Sequence, residues 1–133
     1  MSKSRNNAIL LKASPEETAK LIKGAKTDSD RRITYDPANR PEVANLLKVA
    51  ALSSGRPAEE IAAEIGDGGG GKLKGYLTEV LNAYLEPLRS KRREFAKDPG
   101  CVPNALKRGI DRANEEAEKT LEAVRKAMGM RYL

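Results

Sequence analysis

Between Leu73 and Leu88 the apolar residues Leu73, Tyr76, Leu77, Val80, Leu81, Tyr84, Leu85 and Leu88 recur at steps of three and four. A helix of 3.6 residues per turn stacks such positions on one face, and no strand does. A helix with one apolar side must bury that side against other elements. The rest of the chain is therefore read as what packs around a helix running from about Lys72 to Lys97. Pro87 inside it is expected to kink it or start a new turn, because proline has no N–H and its ring crowds the preceding turn. Asp98-Pro99-Gly100 ends it.

The same spacing returns near the C-terminus. Leu106, Ile110, Ala113, Ala117, Leu121, Val124 and Met128 form the expected inward face of a helix from about Pro103 to Met128, with Gly129 as a stop. Upstream, Ser14-Pro15-Glu16-Glu17 is a helix start. The Ser14 hydroxyl can accept a first-turn N–H, Pro15 needs no N–H at the first position, and Glu17 completes a capping box. That helix is expected to reach about Lys26, with Ala19, Ile22 and Lys23 on one face. Asp28, Asp30, Asp36-Pro37 and Asn39 mark 27–40 as a loop. Pro41 opens a second helix with Val43, Leu46, Leu47, Ala50 and Ala51 in phase, and Pro57 a short third with Ile61, Ala62 and Ile65 inward. Ala8-Ile9-Leu10-Leu11 reads as a short extended run or a buried turn. Residues 66–71 hold five glycines and Asp67. They lack the preceding strand and the Lys-Ser/Thr ending of a phosphate-binding loop, so a flexible connector is expected. The fold class is all-α, a helical bundle with a short N-terminal appendage.

Composition narrows the chemistry. The chain has one cysteine, Cys101, and no histidine. Intramolecular disulfides, the common Cys/His zinc patterns and histidine-based acid–base catalysis are excluded, and no metal ligands are assigned. With one Phe, four Tyr and no Trp in 133 residues, the core must be aliphatic. The polar N-terminus is no signal peptide and no run is long enough for a membrane span, so the cytoplasm is the expected compartment. A formal charge of +6 favours polyanionic partners.

Two clusters carry that charge. Arg89, Lys91, Arg92 and Arg93 close the long helix, where cations either meet the macrodipole or grip phosphates. On the last helix Arg108, Arg112, Glu115, Lys119, Glu122 and Lys126 recur at steps of three and four, first of all a salt-bridged solvent face. Arg108 and Arg112, with no carboxylate between them on that face, are the candidates there for RNA contact.

The chain opens Met1-Ser2-Lys3-Ser4-Arg5-Asn6-Asn7-Ala8-Ile9. Then follow Ser14-Pro15-Glu16-Glu17, Lys26-Thr27-Asp28-Ser29, Tyr35-Asp36-Pro37, Pro41-Glu42-Val43-Ala44-Asn45-Leu46-Leu47 and Leu85-Glu86-Pro87-Leu88-Arg89. In order and spacing this resembles the C-terminal part of bacterial-type tryptophanyl-tRNA synthetases, class I enzymes, from their second signature motif onward. The resemblance implies an enzyme that activates tryptophan with ATP, accompanied by Mg²⁺, and transfers it to tryptophan tRNA. It implies that Lys3, similar to the motif's second lysine, stabilises charge on the leaving pyrophosphate, with Ser2 and Ser4 on the same phosphates. It further implies residues 1–40 as signature loop and connecting helix, 41–133 as an anticodon-binding-type helical domain, and a homodimer for the complete enzyme. The family's first motif, with its histidine, and its nucleotide-binding Rossmann domain have no counterpart here, and no lysine precedes Met1. The expectation is a truncated portion, inactive alone in tryptophan activation. The alternatives are a stand-alone non-catalytic helical RNA-binding module and a protein-interaction adaptor.

Overall fold

The computed structural model describes residues 8–130, and among them the only regular structure is helical. The order is α1 Pro15–Lys23, α2 Pro41–Ser54, α3 Ala58–Ile65, a 3₁₀ turn Gly66–Gly68, α4 Gly69–Phe95 and α5 Cys101–Ala127. The chain falls into two units divided between Lys91 and Arg92.

In the first unit, α1 begins as its sequence dictates. The Glu17 N–H donates to Ser14 Oγ at 3.1 Å and the Ser14 N–H to Glu17 Oε2 at 2.9 Å, a reciprocal box that satisfies two otherwise orphaned donors. The helix stops at Lys23 rather than Lys26. The Ala25 N–H turns back to the Ile22 carbonyl at 3.1 Å, and the half-buried Ala25 packs on the core. α2 and α3 pack against each other across a tight turn. Gly55 ends α2 at φ 73°, the left-handed region in which a side chain is strained.

The core is aliphatic. Ile22 and Ile33 join Val43, Leu47, Ala50, Ile61, Ile65 and the α4 leucines in one buried cluster. Along α4 the deeply buried positions are Leu73, Leu77, Leu81 and Leu85, one every fourth residue. This is the i±4 ridge by which helices pack into their neighbours' grooves. Tyr84 and Leu88, read as part of the apolar stripe, lie off that ridge and are exposed.

The glycine segment is ordered structure rather than a slack connector. Residues 66–68 form the 3₁₀ turn, and α4 starts among the glycines at Gly69 instead of Lys72. A β-carbon added at Gly70 would stand 3.1 Å from Thr27 Oγ1, so glycine admits the 25–40 loop against the start of α4. Pro87 does not break α4, which continues to Phe95.

In the second unit α5 is helical, starting two residues earlier than expected, but none of its residues is buried. Leu106, Ile110, Leu121, Val124 and Met128, expected inward, are all exposed. The spacing specified a helix with an apolar face, and it did not specify what covers that face.

Candidate nucleic-acid interface

Three charged arrangements shape the first unit. Arg40 closes the 28–40 loop. Its Nε and Nη2 donate to the two Asp28 carboxylate oxygens at 2.7 and 2.6 Å, and Nη1 to the Arg32 carbonyl and Thr34 Oγ1 at 2.6 and 2.8 Å. The hydrogen bond from Arg40 holds the Asp28 carboxyl below the usual carboxylate range, and the Asp30 N–H adds to it. Arg56 bridges Glu60 and Glu64 at 2.7 Å each and reaches the Tyr76 hydroxyl at 3.4 Å. Each of these two arginines is neutralised by the carboxylates of its own cluster.

The third arrangement is Arg89. Expected among exposed cations, it is buried, at 5% exposure. Its position explains this: 73, 77, 81, 85, 89 is one unbroken step of four, so Arg89 is the last member of the buried ridge. Nη1 donates to Asn82 Oδ1 and Nη2 to Thr18 Oγ1, both at 2.9 Å. A guanidinium so placed is engaged inside the fold, unlike the exposed cations with which its sequence position groups it.

The other candidates lie on the surface. Lys91, Arg92 and Arg93 are exposed in the final turns of α4. There Arg92 and Arg93 also complement the negative end of the helix dipole. In the second unit Arg108 and Arg112 are exposed, four apart and so on one face of α5. Further along, Lys119 pairs with Glu115 at 2.8 Å and Glu116 at 3.1 Å, the alternating face that the sequence suggested. Ser2, Lys3 and Ser4 lie outside the described residues.

Among the described residues no group of three or more cysteine and carboxylate side chains is placed to hold a metal ion. No described helix is long and apolar enough to cross a membrane. At the α2–α3 turn, Tyr35, Lys48, Leu52, Arg56 and Glu59 border an open depression of about 510 Å³. Its mixed charges give it no preference for an anion.

Residues 1–86 match the family model for class I tRNA synthetases (W and Y). The chain is 39% identical over 126 residues to the tryptophan–tRNA ligase of Thermosynechococcus vestitus, covering 95% of this chain and 38% of that protein. It is 37% identical over 132 residues to that of Corynebacterium glutamicum, covering 97% and 38%. Among solved structures it is similar to the tryptophanyl-tRNA synthetase from Mycoplasma pneumoniae, with a TM-score of 0.63 and 26% identity, covering 96% of this chain and 39% of that one. The chain thus spans 38% of the length of each of these two curated relatives.

Proposed function

The chain belongs to the class I tRNA synthetases of the tryptophan and tyrosine type, and on that basis we propose that it is a portion of a cytoplasmic tryptophan–tRNA ligase. The observation that carries this reading is identity of 37–39% to tryptophan–tRNA ligases over 95–97% of the chain. The family model itself spans residues 1–86, from the N-terminal segment into α4.

In this reading residues 1–40 act as the phosphate-side loop and its connecting helix, and 41–133 as the helices that face tRNA. Ser2, Lys3 and Ser4 contact the phosphates of ATP. As pyrophosphate leaves, negative charge accumulates on its oxygens, and the Lys3 ammonium stabilises it where it develops. Mg²⁺ arrives on the ATP phosphates, which supply its oxygen ligands. Lys91, Arg92, Arg93, Arg108 and Arg112 are the proposed tRNA contacts. They are exposed and cationic, and they position the RNA backbone without reading sequence. Tryptophan and a homodimer interface belong to the complete ligase.

The chain alone, spanning 38% of the length of the two ligases compared, is expected not to catalyse tryptophan-dependent pyrophosphate exchange; exchange by the purified chain would refute this. Within a complete ligase carrying this segment, Lys3→Ala should lower kcat for activation by about 10²–10³, the usual cost of one preorganised donor. The direct test of the RNA-facing role is binding of the chain to tryptophan tRNA at two salt concentrations, against a non-cognate tRNA. Salt-sensitive binding supports it, selectivity for tryptophan tRNA would show that further residues read sequence, and absence of binding sinks it.

A further inference from the structure

Arg89 has a consequence for the N-terminal segment. α1 buries only Thr18 and Ile22. Polar groups of α4 hold it at three points: Lys74 Nζ donates to the Lys23 carbonyl at 3.2 Å, Asn82 Nδ2 to the Pro15 carbonyl at 3.4 Å, and Arg89 Nη2 to Thr18 Oγ1 at 2.9 Å. Only the last contact is buried at both ends, with Thr18 0% and Arg89 5% exposed. Arg89 also donates to Asn82, so one guanidinium fixes two of the three fastenings.

A guanidinium is a costly way to fill such a place. Desolvating it is expensive, its Nε is buried without a hydrogen-bond partner among the described residues, and an apolar side chain of similar volume is often as stable or more so. What the guanidinium supplies and an apolar side chain cannot is direction, through a rigid planar fork that sets two oxygens at fixed positions. The oxygen at the α1 end belongs to a helix whose N-terminus leads directly into residues 8–13. There the buried Ala13 donates its N–H to the Leu10 carbonyl at 2.9 Å, and the half-buried Ile9 packs on the core.

We infer that Arg89 is a positioning residue: through Thr18 and Asn82 it fixes α1 on α4, and so fixes the base from which the signature segment Ser2-Lys3-Ser4 extends. This rests on the reading of that segment as the phosphate-side loop. α4 then serves as the common reference for both ends of the chemistry. Two residues after the buried Arg89 comes Lys91, the first of the exposed cations proposed to face RNA.

The test is amide hydrogen exchange on the full chain, which needs neither nucleotide nor tRNA and so stands apart from the binding test of the function. Exchange is read at Ala13 and Thr18, whose N–H groups are bonded to Leu10 and Ser14, and at Leu47 and Leu77 in the core. Arg89→Met should speed exchange at least tenfold at Ala13 and Thr18 while leaving Leu47 and Leu77 unchanged. Arg89→Lys, with its charge kept but its fork lost, should behave like Arg89→Met. Thr18→Val should do the same, and Thr18→Ser, which keeps the hydroxyl, should match the unmodified chain. Unchanged rates at Ala13 and Thr18 in Arg89→Met would overturn the inference. So would acceleration by the same factor at all four amides, which would make Arg89 a structural residue and nothing more. If Arg89→Met fails to fold, the Thr18→Val and Thr18→Ser pair decides alone: equal rates in the two overturn the inference.

Discussion

Two carboxylates report on the 28–40 loop, Asp28 and, held down by its hydrogen bond from Asn39, Asp36. Asp28 is hydrogen-bonded by Arg40 and its carboxyl is held below its ordinary range. A group whose pKa is depressed on folding contributes stability above its unfolded value, and that contribution is lost as pH falls through the folded value. The order of the loop should therefore be complete at neutral pH and decline below about pH 4, the ordinary range of an aspartate. Following the Ile33 amide, bonded to the Gly66 carbonyl at 2.8 Å, from pH 6 to pH 3 would show it. The Asp28→Asn variant should have a weaker clasp throughout and a smaller acid-dependent loss, and an identical acid profile in both chains would assign the effect elsewhere. Residues of this kind were only half legible. Asp28 and Asp30 read correctly as turn formers, but a partner twelve residues away leaves no local pattern. Arg89 left one, since it continues the step of four set by Leu73, Leu77, Leu81 and Leu85; its charge masked that phase.

Elements were read far better than their surroundings. Helix starts are local chemistry, so Ser14 and Glu17, Pro41 and Pro57 placed α1, α2 and α3 within a residue or two. Ser14→Ala should lower stability by about 1 kcal/mol in urea unfolding, the usual worth of such a cap. Burial is not local, and equal apolar spacing led to opposite outcomes in α4 and α5. Leu77 is 1% exposed and Leu106 61%. Leu77→Ala should cost about 2–5 kcal/mol, whereas Leu106→Ala should stay within about 0.5 kcal/mol of the unmodified chain. A large loss at Leu106 would mean that its face is covered in solution. The glycines of 66–71 misled for a related reason: sequence alone does not distinguish a glycine chosen for freedom from one, such as Gly70, chosen for the space it leaves to Thr27.

For the molecule as a whole, helical class and family were legible from spacing and from the ordered motifs, while the candidate site was legible as charge and not as a surface. If Arg92 and Arg93 each contact a phosphate, replacing both with alanine should reduce the slope of log affinity against log salt by about 1.4–1.8, at roughly 0.7–0.9 per contact. An unchanged slope would remove them from the interface. One feature of the fold bears on how the chain melts. α5 buries none of its residues, so burial contributes little to keeping its 27 residues helical. A helix of that length can persist alone, but it frays gradually rather than all at once. Heated, the chain should lose part of its far-ultraviolet signal along a broad slope. The near-ultraviolet signal of Tyr35 and Tyr76, half-buried against the core, should vanish in a single sharp step. Two probes would then give two midpoints, and no single unfolding free energy would describe the whole chain.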